Sequence, residues 1–115
     1  MYKILVLLIV LVVAACGDGD GEVGGEKNRP PQLWSDHKFM DIPVSSCRET
    51  GRGALRSLGF TRVVLNGNYA YGNYKNNRAA VKCVEVNGGS FVYLMVAGPE
   101  KRVVEELRNE IYWKF

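Results

Sequence analysis

The chain is predicted to form an α+β domain over residues 45–115: a two-layer sandwich in which a four-stranded antiparallel meander carries two helices on one face, in the order α-β-β-β-β-α. Two observations lead there. Turn signals at Asn66-Gly67, Lys75-Asn76-Asn77 and Asn87-Gly88-Gly89 divide residues 60–97 into four short runs rich in Val, Tyr and Phe, the pattern of strands joined by hairpins. An amphipathic helical stripe with its own start signal precedes these runs, and another follows them. At 115 residues in all, there is chain for a single small domain.

Taken in order, Leu33 to Val44 holds Trp34, Phe39, Met40, Ile42 and Val44 without a clean period of either kind, so residues 32–44 are expected to be an irregular apolar arm packed on the domain. Ser46-Cys47-Arg48-Glu49 fits a capping box, in which serine and glutamate each satisfy the other's free backbone N–H. The helix that it opens ends at Gly59, a residue able to take the left-handed conformation past the last turn. Cys47, Gly51, Ala54, Leu55 and Leu58 fall on its inner side. Arg48, Arg52 and Arg56 recur every fourth residue beside that stripe, as either a solvated face or a receiver of headgroups, phosphates or carboxylates. Strands are expected at Phe60–Leu65, Asn68–Tyr74, Arg78–Val86 and Ser90–Ala97. Gly98-Pro99-Glu100 then opens the second helix with proline at its first position, and Val103, Val104, Leu107 and Ile111 form its buried stripe, with Phe115 continuing it.

Short turns let the register be followed across the meander, because residues paired across a hairpin share a face and alternate residues do not. One face collects Thr61, Val63, Leu65, Ala70, Gly72, Tyr74, Ala79, Val81, Cys83, Val92, Leu94 and Val96, mostly small or aliphatic, with Glu85 as the exception near the sheet's end. The other collects Arg62, Val64, Tyr69, Tyr71, Asn73, Lys82, Val84, Val86, Phe91, Tyr93 and Met95. No third layer is left in the chain to cover this second face, so it is either open or overlaid by the arm. Arg62, Tyr69, Tyr71, Lys82, Phe91, Tyr93 and Met95 make it a candidate binding face: aromatics interleaved with cations suit flat ligands and the centres of protein interfaces. Tyrosine also suits half-exposed strands for its own sake, which is the competing explanation.

Where the domain works is read from the other end. Tyr2 and Lys3 precede an apolar run from Ile4 to Val13 that is too short to span a bilayer. The Val13-Ala14-Ala15-Cys16 that completes it resembles the lipobox of bacterial lipoproteins. The resemblance implies that residues 1–15 are a cleaved signal peptide and that Cys16 becomes a diacylglyceryl cysteine at the mature amino terminus, anchoring the protein to the membrane. In the lipoproteins that it resembles an aspartate after the modified cysteine favours the inner membrane, so with Gly17 there the resemblance leans towards the periplasmic side of the outer membrane. Residues 16–31 are glycine-rich and acidic, with Asp18, Asp20, Glu22 and Glu26, and read as a flexible tether. With Cys16 lipidated, Cys47 and Cys83 remain as a pair in an oxidising compartment, expected as a disulfide in preference to a metal site or reactive thiol. That pairing puts Cys83 opposite the first helix, so the aliphatic face is the one the helices cover.

Function classes narrow accordingly. A net charge of +3 and a secreted address argue against nucleic acid. Asp18-Gly-Asp20-Gly-Glu22 lacks the spaced ligands of an EF-hand loop, and His37, the sole histidine, has only Asp36 and Asp41 nearby, so neither a metal nor a cofactor is expected. No nucleophile elbow, phosphate loop or placed carboxylate pair is present, so an enzyme is the least favoured class. A non-catalytic module that engages an envelope protein through the tyrosine-rich face leads. Binding of peptidoglycan glycan and a structural homodimer are the alternatives.

Overall fold

Seven elements account for the computed structural model, which describes residues 29–115: β1 (Gln32–Met40), α1 (Val44–Ser57), β2 (Thr61–Asn66), β3 (Tyr69–Tyr74), β4 (Asn77–Val86), β5 (Gly89–Gly98) and α2 (Lys101–Tyr112). The expected signal peptide, Cys16 and all but the end of the expected tether lie outside the described residues. The class is the expected one, an antiparallel sheet with two helices. The sheet, however, has five strands in the order β1-β5-β4-β3-β2, so the element order is β-α-β-β-β-β-α.

The fifth strand is the stretch expected as an arm. β1 pairs with β5 along its whole length, from Gln32 opposite Gly98 to Met40 opposite Ser90, and its exposure alternates residue by residue. The alternation is hidden in the sequence because polar residues occupy both faces. Trp34, Asp36, Lys38 and Met40 face the helices, while Leu33, Ser35, His37 and Phe39 face away. The inward lysine is tolerated because this is a sheet edge under a helix end. Its ammonium lies 4.2 Å from the ring centroid of Tyr112, so the charge meets an aromatic face.

Two element starts also differ from expectation. The first helix begins at Val44, two residues before Ser46: Cys47 donates its N–H to the carbonyl of Pro43, and no side chain caps the end. The ladder therefore starts on a residue whose own missing N–H costs nothing there. The second helix is capped by Glu100, which leaves Pro99 outside it. Gly59 closes α1 with a φ of +91°, as expected.

A bulge changes one end of the meander. Thr61 pairs with Asn73 and Val64 with Tyr71, so Arg62 and Val63 together oppose Gly72. Arg62 adopts a φ of +54°. The extra residue lets Phe60 and Val63, three apart and therefore out of phase for a regular strand, both pack inward. Gly72 leaves them room, since a Cβ there would stand 3.2 Å from each. Thr61 accordingly joins Asn73 on the uncovered face rather than the covered one.

The rest of the covered face is as expected. Ala70, Ala79, Val81, Cys83, Val92, Leu94 and Val96 are buried beneath Cys47, Leu55, Val104 and Ile111 of the helices, and Glu85 is exposed. α1 lies over β2, β3 and β4, and α2 over β5 and β1. A disulfide joins Cys47 of α1 to Cys83 of β4 within this core.

Candidate binding face

Because β4 is the central strand, the register arranges the uncovered side chains into rows that cross the sheet. One row runs Leu33, Ala97, Arg78, Asn73 and Thr61; the next Ser35, Met95, Ala80, Tyr71 and Val64. Then come His37, Tyr93, Lys82, Tyr69 and Asn66, and finally Phe39, Phe91 and Val84. Of the residues expected on this face, Tyr69, Tyr71, Lys82, Phe91, Tyr93 and Met95 are there together. Arg62 is exposed at the bulge, at a corner outside the aligned rows. The four residues contributed by β1 were missed, because the arm was not read as a strand.

The face is open among the described residues: β1 extends the sheet sideways and does not cover it. Leu33 is 69%, Phe39 55% and Val64 54% exposed, and Val84 and Tyr93 are also exposed. Among the described residues Trp113, at the end of α2, is the other large apolar side chain left this open. Exposed apolar area is thus concentrated on one surface rather than scattered.

The aromatic side chains pack on one another in two groups. Tyr69 and Tyr71 stack with ring centroids 5.3 Å apart at 9°. His37 stacks on Phe91 at 5.3 Å and on Tyr93 at 6.3 Å, and the latter two meet at 6.4 Å in a tilted pair. Lys82, between the groups in its row, holds its ammonium 5.1 Å from the Tyr69 centroid. These contacts brace the rings in place, so that the surface is preformed and has little side-chain entropy still to lose.

Both edges of the sheet are blunted. On β1 the outward N–H of His37 donates to its neighbour Asp36 Oδ1 at 2.8 Å, and the carbonyl of Ser35 accepts from Arg108 Nη1 at 3.4 Å. On β2 the strand is short and bulged. Groups engaged or bent in this way discourage strand addition.

The arginine row of α1 does not form a cluster of unengaged cations. Arg52 pairs with Glu49 at 2.7 Å, Arg48 Nη1 donates to the Gly67 carbonyl at 3.2 Å, and Arg56 is exposed. A cleft of about 220 Å³ lies between the Lys75-Asn76 turn and the start of α2, lined in part by Asn77, Pro99 and Val103. Asn77 donates from Nδ2 to the Tyr74 carbonyl, and its buried Oδ1 has no hydrogen-bond partner but packs against Gly98. Among the described residues no three His, Cys, Asp or Glu side chains gather to hold a metal ion, and no helix is long and apolar enough to cross a membrane. The chain matches no protein-family model and no curated protein sequence.

Proposed function

We propose that this chain is a lipid-anchored, non-catalytic binding module of the cell envelope, moored through acylated Cys16 at the periplasmic side of the outer membrane, that engages a protein partner through its open sheet face. The observation that carries the reading is the concentration of exposed Leu33, Phe39, Val64, Val84 and Tyr93 on one preformed surface whose flanking edges are blunted. A cystine-braced domain on a glycine-rich leader is suited to reaching a neighbour in the same compartment.

A protein fits this face better than a glycan does. Sugars are taken up on broad open ring faces, and here Tyr69 and Tyr71 each turn one face to the other while His37 stacks on Phe91 and Tyr93. A face-to-face homodimer would bring Arg78 and Lys82 of two copies against a surface that offers them no carboxylate.

The test is recovery of the partner from solubilised membranes by the full chain and by its Tyr71→Ala and Tyr93→Ala variants. Each truncation of a central aromatic is expected to cost about 2 kcal/mol, roughly thirty-fold in affinity, and to deplete the same band. Unchanged recovery with both variants would remove the sheet face as the contact surface.

A further inference from the structure

The centre of the open face is cationic, and the face has no carboxylate. Among the described residues Asp36 and Glu85 have helix-side register positions, Asp41 lies between β1 and α1, and the remaining glutamates belong to α1, α2 and the α2 cap. Arg78 and Lys82 stand on the central strand four residues apart, which separates their Cα atoms by about 13 Å. Neither takes part in the ion pair found among the described residues, Arg52 with Glu49. Arg78 Nε donates to the neutral Asn73 Oδ1 at 3.1 Å, and Lys82 has the Tyr69 ring.

Between the two cations on the same face is Ala80, the smallest side chain of its row, with Met95 on one side and Tyr71 on the other. The middle of the face is therefore a shallow apolar seat with a positive charge at each end. A purely apolar surface closing over it would strip water from two cations and return nothing for it. Complementarity requires anionic groups at both ends and an apolar group between.

Resting on the sheet-face reading above, we infer that the partner is an acidic amphipathic helix of another protein, which seats an apolar side chain over Ala80 and sets carboxylates against Arg78 and Lys82. The spacing fits a helix: residues eight apart on one face span about 12 Å, with the apolar residue four from each. Such a helix would supply the missing third layer, covering the sheet as α1 and α2 cover its other side.

The experiment uses two synthetic helices with the same leucine stripe, one flanked by glutamate and one by lysine, titrated into the detergent-solubilised full chain by fluorescence anisotropy. The glutamate helix is expected to bind at least about ten-fold more tightly, with affinity falling as salt is raised. Arg78→Glu with Lys82→Glu should invert that preference. Arg78→Gln with Lys82→Gln, a milder change at two solvent-accessible positions, should bring it close to unity. Equal binding of both helices, abolished by Tyr71→Ala and Tyr93→Ala, would overturn the acidic partner while leaving the face standing. Binding that those two tyrosine variants leave untouched would overturn both.

Discussion

Removing the cystine, by Cys47→Ala together with Cys83→Ala, is expected to lower the stability of the domain by about 3 to 4 kcal/mol. The bond closes a segment of 36 residues that contains β2 and β3, so in the reduced chain the unfolded state regains the freedom of that whole loop. Both cysteines are also buried in the core, at 0% and 1% exposure, so a small packing loss adds to the entropic one. For a domain whose total stability is on the order of 5 to 15 kcal/mol, this is a large share. Thermal unfolding followed by circular dichroism should show a midpoint lower by more than about 10 °C. A drop of only a degree or two would mean that the helix–sheet core holds α1 to β4 without the bond.

Gly98→Ala is expected to destabilise by about 2 to 3 kcal/mol, the upper part of the range for overpacking a close-packed site. A Cβ at this position would overlap Asn77 Oδ1 and stand 2.9 Å from Asn77 Cγ and 3.1 Å from Val104. Asn77 cannot swing aside freely, because Nδ2 is tied to the Tyr74 carbonyl at 3.0 Å and the side chain is buried. The cause is separable by a double-mutant cycle. Asn77→Ala removes the obstructing oxygen, so the double variant should be less destabilised than the two single changes added together. Strict additivity in urea unfolding would show that the close approach is not the source of the cost.

The meander and both buried stripes were legible because each rests on local chemistry. Asparagine and glycine at the turns fixed the register, and the register put Val81, Cys83, Val92 and Leu94 on the buried face together. β1 was not legible, for a reason in its own residues. Asp36 and Lys38 join Trp34 and Met40 on the helix side, and Leu33 and Phe39 join Ser35 and His37 towards solvent, which blurs the polarity that a period of two is meant to display. Asp36 serves the edge by accepting the His37 N–H, and Lys38 is accommodated by Tyr112; both depend on tertiary neighbours that a window of sequence does not contain. The bulge at Arg62 was hidden in the same way, since it answers to the room left by Gly72 on the next strand. The register of the open face was therefore legible on its middle strands. Its β1 side, including His37 stacked on Phe91, was left out.

The most direct measurement of the sheet-face reading is site-specific photo-crosslinking in intact cells, with the photoreactive residue placed in turn at Val64 and Met95 on the open face and at Arg102 and Glu106 on the helix layer. The expected result is one discrete protein adduct from the two face positions and none from the helix positions. Adducts from Arg102 or Glu106, with Val64 and Met95 silent, would contradict the assignment of the open sheet as the surface by which this protein binds.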